Sequence, residues 1–225
     1  LELMTRVATL PAPNDDAKRK QLAGLASEME SIYGKGKFCE DPAKPETCRD
    51  LGALSDVLAD SRDPKALLDA WQGWRSISTG KMREDYVSFA ALGNEGAREL
   101  GYKDMGELWR SKYDMSAAEF EAEMERLWKQ VEPLYKQLHC HVRAKLNEKY
   151  GEDTVPKDGK IPAHLLGNMW AQEWANIYPL MEPFAGQPSI DVTQALEDKG
   201  FDELKMVRAA ESFFTSLGLD PLPKT

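Results

Sequence analysis

The sequence predicts an all-α protein, and three observations lead to that class. Apolar residues recur every three or four positions along most of the 225-residue chain. Residues that favour helix N-termini, chiefly Asp and Ser, precede most of these periodic stretches. No run of alternating apolar residues is long enough to predict a strand, and no internal repeat is visible. We therefore expect helices packed on helices.

Start and stop residues give the order of the predicted helices. Asp63-Pro64 combines an N-cap with a proline at the first helical position, and Gly80 is expected to end the helix that starts there. Ser116 and Glu119 form a capping box before the longest helix. The helices are expected at about 15–33, 51–59, 65–77, 81–100, 104–113, 116–151, 162–178, 192–199 and 202–217.

The longest predicted helix carries a regular apolar stripe and ends at Gly151. Pro133 should kink this helix or bend it, and Cys140 is expected to be a buried, small hydrophobic residue. The stripe consists of Met124, Leu127, Val131, Leu134, Leu138, Val142 and Leu146. Such a stripe is typical of an amphipathic helix.

Composition limits the classes of partner. Lys and Arg number 29 against 38 Asp and Glu, which gives a formal net charge of −9 with both signs interspersed. An acidic surface repels phosphate backbones, so we expect no nucleic-acid partner and no anionic membrane surface. No apolar run approaches the length of a bilayer span, so this chain is expected to contain no membrane segment.

Cys39 and Cys48 flank a short polar loop, and their spacing is compatible with two states. A local disulfide would imply an oxidising compartment, and closing so short a loop would contribute about 2–3 kcal/mol in the chain-entropy model. Two free thiols in a cytosolic protein are the alternative. We favour the bridge.

Two polar residues lie in predicted apolar helical settings. Arg75 follows Trp71 and Trp74, and it needs an anion, a carboxylate or an aromatic face to offset its charge. Gln172 lies between Trp170 and Trp174, where a buried amide must find partners or face a pocket. Taken alone, both residues are more simply explained by structural roles.

The three histidines do not form a metal site by spacing. His139 and His141 point to different faces of one helix, and no second ligand follows His164 at helical spacing. The chain contains no H-E-x-x-H, no C-x-x-C, no glycine-rich phosphate loop and no G-x-S-x-G. It therefore shows no complete set of catalytic residues.

Several segments resemble the angiotensin-converting enzyme family of zinc peptidyl-dipeptidases in order and spacing, over nearly the whole chain. The longest match is I-P-A-H-L-L-G-N-M-W-A-Q at 161–172, followed by W-A-N-I-Y at 174–178 and F-F-T-S-L-G-L at 213–219. Further matches are W-Q-G-W-R at 71–75, W-R-S-K-Y at 109–113 and P-L-Y with L-H at 133–139. The cysteine loop falls where the family has a short disulfide loop.

The resemblance implies an elongated, helical zinc-peptidase domain with a central channel, which releases C-terminal dipeptides from peptides. Residues 1–225 would be an N-terminal to middle piece of one such catalytic domain. The family's zinc ligands lie on an H-E-x-x-H helix that this chain does not reach, so no metal ligand or catalytic residue is expected here and the piece should be inactive alone.

The resemblance also assigns individual residues. Gln172 matches the glutamine that holds the substrate's C-terminal carboxylate. Glu173 departs from the small hydroxylic residue expected there and could favour substrates that end in a basic residue. Arg75 matches an arginine at one chloride site and Tyr113 a tyrosine at a second, so chloride binding is possible.

We expect an exported, bacterial-type peptidyl-dipeptidase, periplasmic or extracellular, that acts on short peptides. The uncapped start and proline-rich end suggest a chain cut at both ends, and exposed apolar helix faces should make the piece self-associate. Two alternatives remain. One is a non-catalytic helical binding module on the same scaffold, and the other is a related helical zinc carboxypeptidase that removes single residues.

Overall fold

The computed structural model describes residues 10–184 and 192–223, and nearly all of its regular structure is helical. The predicted all-α class is confirmed. The chain divides into two compact units, Leu1–Glu182 and Pro183–Thr225. In the described residues, no helix is long and apolar enough to cross a membrane.

The first unit contains six α-helices and a two-stranded antiparallel pair among its described residues. Its helices are α1 (Asp16–Lys35), α2 (Leu51–Asp60), α3 (Pro64–Glu99), α4 (Met105–Arg110), α5 (Ala117–Tyr150) and α6 (Tyr178–Met181). The paired strands are β1 (Phe38–Cys39) and β2 (Cys48–Arg49), and short 3₁₀ turns lie at Pro45–Thr47, Ala163–Leu165 and Ala175–Ile177. The second unit contains α7 (Val192–Asp198) and α8 (Glu203–Ser216).

Side chains cap most of these helices at their N-termini. Asp15, Asp50 and Asp104 accept hydrogen bonds from backbone N–H groups of the first turns of α1, α2 and α4. Ser116 and Glu119 form the predicted capping box of α5, and these hydrogen bonds lower the pKa of the Glu119 carboxyl. Local sequence therefore sets the helix starts.

Helix α3 corrects one prediction, because Gly80 does not end it. The predicted helices 65–77 and 81–100 are a single helix, Pro64–Glu99. An interior glycine costs only about 1 kcal/mol relative to alanine, and packing can exceed that cost. Trp74 and Leu92, on either side of Gly80, are both buried. Tertiary contacts on both halves therefore keep the helix continuous.

Cys39 and Cys48 form a disulfide, as favoured from the sequence, with an S–S distance of 2.00 Å. The strands that carry them are two residues long, too short to show an alternating pattern. The Arg49 side chain donates to Asp69 on α3 at 2.8 Å and pairs with Glu40 at 3.0 Å. The Phe38 ring packs against the Gly73 backbone of α3, where a Cβ would lie 2.3 Å from the ring. The disulfide loop is thus fastened to α3.

The core lies where α2, α3, the C-terminal half of α5 and the segment 161–181 meet. Only the last third of the α5 apolar stripe joins it. Its buried members are Leu54, Leu58, Leu67, Ala70, Trp74, Val142, Leu146, Val155, Leu165, Leu166, Met169, Ile177 and Met181. Helix α1 packs on α3 nearby through buried Leu22 and Met29.

Helix α5 runs unbroken through Pro133, but its apolar stripe is only partly buried. Val142 and Leu146 are buried, whereas Met124, Leu127, Val131, Leu134 and Leu138 are exposed. Cys140 is also exposed, so its prediction as a buried residue is wrong. The physical reason is that, among the described residues of the first unit, the core lies against the C-terminal end of this stripe only.

The segment 162–178 was predicted as one helix, and that prediction is wrong. It forms two 3₁₀ turns joined by an irregular stretch, in which Gly167 has φ of 79° and Ala171 has φ of 54°. Side-chain amides compete with helical hydrogen bonds here: Asn168 accepts from the Trp170 N–H at 2.8 Å, and Asn176 donates to the Gly167 carbonyl at 2.9 Å. The chain consequently folds as turns over the core.

Candidate functional site

Gln172 lines a surface cleft between α5 and the irregular segment. The cleft has a volume of about 350 Å³ and is lined by Tyr135 and Leu138 of α5 and by Ala171, Gln172 and Trp174. The Gln172 side chain is exposed, so its amide is open to a ligand. Glu173 is also exposed but does not line this cleft.

The backbone that carries Gln172 is held by specific contacts. Ala171 is the only described non-glycine residue with a positive φ. Its carbonyl accepts a hydrogen bond from the Trp174 indole Nε1–H at 2.9 Å, and its N–H donates to the Asn168 carbonyl at 3.1 Å. These bonds make a tight turn immediately before Gln172.

Helix α5 supplies an aromatic cluster behind this turn that the sequence analysis did not identify. The His139 ring lies edge-on to the Trp174 ring, with centroids 5.0 Å apart. His139 Nε2 also shares a hydrogen bond of 2.8 Å with the Tyr135 hydroxyl, one helical turn earlier. The spacing of Tyr135 and His139 was the available sequence signal, because residues four apart meet on a helix face.

Arg75 joins α3 to the same irregular segment. Its Nη2 donates to the Met169 carbonyl at 2.7 Å, and its Nη1 donates to the Trp71 carbonyl at 3.2 Å. The guanidinium carbon lies 3.6 Å from the centroid of the Trp71 ring. Burial lowers the pKa of the Arg75 guanidinium, as expected for a cation taken out of water, yet an arginine stays charged at neutral pH. The expected cation–π contact with Trp71 is present.

The Trp71 indole adds an unusual feature beside this guanidinium. Its Nε1 is buried and has no hydrogen-bond partner among the described residues. A buried donor without a partner costs free energy, which a small acceptor at this position would recover. The unpaired indole N–H of Trp71 therefore lies close to the positively charged guanidinium of Arg75.

Tyr113 lines a different cavity from the cleft that Gln172 lines. It follows α4, and its ring centroid is 4.4 Å from that of Phe120 at the start of α5. The cavity has a volume of about 660 Å³, and its lining includes Glu107 and Asp114. Two carboxyl groups make this cavity unfavourable for an anion unless a cation joins it.

The remaining histidines occupy separate structural positions. His141 Nε2 hydrogen-bonds the Met181 carbonyl at 3.0 Å, on a different side of α5 from His139, as predicted. His164 is half-buried in the first 3₁₀ turn, and burial lowers its pKa. Across residues 10–184 and 192–223, no three His, Cys, Asp or Glu side chains gather as metal ligands.

Comparison with known proteins places this arrangement in a family. The family model described as Angiotensin-converting enzyme, of the peptidase M2 type, matches residues 2–225. The chain is 47% identical over 219 residues to Angiotensin-converting enzyme of Sus scrofa, covering 96% of this chain and 16% of that protein. It is 40% identical over 223 residues to Angiotensin-converting enzyme of Theromyzon tessulatum, covering 98% of this chain and 36% of that protein.

A third relative is the Angiotensin-converting enzyme-like protein Ace3 of Mus musculus, 41% identical over 200 residues, with 88% of this chain and 26% of that protein covered. The chain thus spans only about a sixth of the length of the pig, rabbit and cattle relatives, at 16%, 16% and 17%. The family match nevertheless extends over almost every residue of this chain. The chain therefore belongs to the angiotensin-converting enzyme family of metallopeptidases.

Proposed function

We propose that residues 1–225 form the N-terminal to middle piece of the catalytic domain of a zinc peptidyl-dipeptidase, which releases C-terminal dipeptides from peptides. The observation that carries the proposal is the family match over residues 2–225, combined with the position of Gln172 in an open cleft. This piece would supply scaffold and substrate contacts to a channel completed by other parts of the protein.

The zinc ligands are proposed to lie outside this chain. The 225-residue sequence has no H-E-x-x-H, and His139 and His141 have separate structural contacts. The residues present therefore do not fit a zinc site, and no catalytic step is assigned to them. The piece should accordingly be inactive alone.

Gln172 is proposed to hold the free C-terminal carboxylate of the substrate. Its side-chain amide has two N–H donors, which suit a carboxylate oxygen, and it faces a cleft with the aromatic walls Tyr135 and Trp174. Hydrogen bonds to a charged group are stronger than neutral ones, about 1.5–3 kcal/mol. Glu173, exposed next to it, would place a negative charge near the last residues of the substrate and favour basic ones.

Arg75 is proposed as a ligand of a bound chloride ion. The support is the charged, partly desolvated guanidinium next to the unpartnered Trp71 indole N–H. Tyr113 is proposed at a second chloride site, where the nearby Glu107 and Asp114 require a cationic group to offset their charge.

The chloride proposal is tested by titrating activity of the complete protein with chloride at constant ionic strength. Arg75→Gln removes the charge and should abolish chloride activation, whereas Arg75→Lys keeps the charge and should retain part of it. An activity of the parent protein that does not depend on chloride would contradict the proposal.

The protein is proposed to function outside the cytoplasm, in a periplasm or extracellular space. The Cys39–Cys48 disulfide supports this, because such bonds persist in oxidising compartments. Labelling free thiols in protein recovered from its native source would test it, since two reactive thiols at these positions would count against export.

The decisive experiment for the main proposal uses the complete protein and a blocked peptide. Mass spectrometry of the products should show a released dipeptide, and elemental analysis should show zinc bound to the protein. Release of single residues would indicate the related carboxypeptidase instead. Absence of both zinc and product would indicate a non-catalytic binding module.

A further inference from the structure

The peptide unit that precedes Gln172 has an unusual conformation. Ala171 has φ of 54°, a region that residues with a Cβ rarely adopt. Such a conformation persists only where surrounding contacts impose it, and it is frequent at functional sites.

Trp174 supplies the contact that fixes this peptide unit. Its indole Nε1–H donates to the Ala171 carbonyl oxygen at 2.9 Å. That oxygen and the Gln172 nitrogen belong to one planar peptide group. Fixing the oxygen therefore restrains the peptide plane, and with it the position of the Gln172 Cα atom, which lies in that plane.

The Trp174 ring is in turn held from α5. The His139 ring packs edge-on against it at 5.0 Å between centroids, and His139 is bonded to the Tyr135 hydroxyl at 2.8 Å. Trp174 also packs against the buried core and lines the Gln172 cleft. The contacts thus run from a rigid helix, through two rings, to the peptide unit of Gln172.

We propose that Trp174 is a positioning residue for Gln172, with His139 as its support on α5. The indole N–H holds the Ala171–Gln172 peptide plane so that the glutamine amide is already directed at the substrate carboxylate before binding. Preorganisation of this kind improves affinity because less freedom is lost on binding. The inference rests on the proposed function, in which Gln172 binds the carboxylate.

The test is a double-mutant cycle in the complete protein, with the Kd of a dipeptide bearing a free carboxylate measured by calorimetry. Trp174→Phe keeps an aromatic ring and removes the indole N–H donor together with the five-membered ring that carries it. We expect it to raise Kd roughly 3- to 10-fold, and Gln172→Ala to raise Kd roughly 10- to 100-fold. Combined with Gln172→Ala, Trp174→Phe should add less than about twofold, because its effect acts through the glutamine.

The possible results of this cycle distinguish the positioning role of Trp174 from the carboxylate contact of Gln172. If the two substitutions multiply in their effects, Trp174 acts independently of Gln172 and the positioning role is wrong. If Gln172→Ala weakens binding and Trp174→Phe does not, the carboxylate contact stands and only the positioning role fails. If Gln172→Ala leaves Kd unchanged, the proposed carboxylate contact itself fails, and the positioning role fails with it.

A second variant keeps the test informative if Trp174→Phe disturbs folding. His139→Ala removes the ring that supports Trp174 from a helix that tolerates alanine, and it should raise Kd roughly 2- to 5-fold. His141→Ala is the matched control, since it lies two residues away on the same helix and contacts Met181 instead. Equal effects of the two histidine substitutions would overturn the proposal.

Discussion

At the scale of single residues, Gln172 and Glu173 show how neighbours in sequence receive different surroundings. Both side chains are exposed, but only the glutamine lines the cleft beside α5. The segment is neither helix nor strand at this point, so no regular period decides where successive side chains point. The directions of these two side chains depend instead on the left-handed conformation of Ala171 and on the turn that follows.

The first prediction separates these two residues. In the complete protein, Gln172→Ala should weaken binding of peptides with a free C-terminal carboxylate by about 10- to 100-fold, because a hydrogen bond to a charged group is lost. Glu173→Gln should leave peptides with neutral ends unchanged and weaken those ending in Lys or Arg. Measured KM values for matched peptides would show this, and a loss confined to Glu173→Gln would contradict the assignment.

The second prediction concerns His164, whose pKa is lowered by burial. As pH falls through the ordinary histidine pKa of about 6.5, the His164 side chain is protonated in the unfolded state before it is protonated in the folded state. The unfolded state then binds more protons, so the free energy of unfolding should decrease until the lower, folded-state pKa is passed.

Urea unfolding of the chain at about pH 7.5 and about pH 5.5 measures this decrease. His164→Asn should reduce the decrease, because asparagine does not titrate in this pH range. An identical pH dependence in His164→Asn and the parent would show that His164 does not contribute.

At the scale of secondary-structure elements, two glycines in the interior of α3, Gly80 and Gly96, have different surroundings. Gly80 has nothing within 4 Å of an added Cβ, whereas a Cβ on Gly96 would lie 2.5 Å from the Pro11 backbone carbonyl. Pro11 is buried and backbone cannot swing away as a flexible side chain can. The helix therefore tolerates Gly80, whereas Gly96 allows the backbone at Pro11 to approach α3 closely.

The third prediction follows from that contrast. Gly80→Ala should stabilise the chain by about 0.5–1 kcal/mol, because alanine is the better helix former. Gly96→Ala should destabilise it by about 1–3 kcal/mol through overpacking against Pro11. Denaturant midpoints compared at equal slope would measure both, and a stabilising Gly96→Ala would contradict the described packing.

At the scale of the whole chain, the apolar stripe of α5 is only partly used. Val142 and Leu146 are buried, while Leu134, on the same stripe, is 73% exposed. A long row of exposed apolar side chains indicates a surface made to be covered. This chain spans 16% and 36% of two of the relatives named above, and in the proposed catalytic domain other parts of the protein would cover this row.

The fourth prediction is that the 225-residue chain, expressed by itself, self-associates through this stripe. Val131→Glu or Leu134→Glu should shift it toward monomer. Gln137→Glu adds the same charge at an exposed position of α5 outside the stripe. This control should leave the association state unchanged. Solution scattering with size-exclusion chromatography measures the mass, and a monodisperse monomer of the parent chain would contradict the prediction.

The sequence by itself determined the helical class, the helix starts and the family. Caps such as Ser116 with Glu119, and stops such as Gly151, act within a few residues of the chain, so they can be recognised locally. The disulfide was favoured from spacing, and the 161–172 match identified the family. Gln172 was selected by that match, lines a surface cleft, and stays a predicted substrate contact.

Only the tertiary structure decided the rest. The continuity of α3 through Gly80 depends on burial of Trp74 and Leu92, and the irregular course of residues 162–178 depends on amide contacts and on Arg75 reaching Met169 across 94 positions. The contact of His139 with Trp174 likewise joins two separate segments. Local propensities of about 1 kcal/mol per residue are smaller than the packing energies that act between distant segments, so the sequence pattern cannot settle these features.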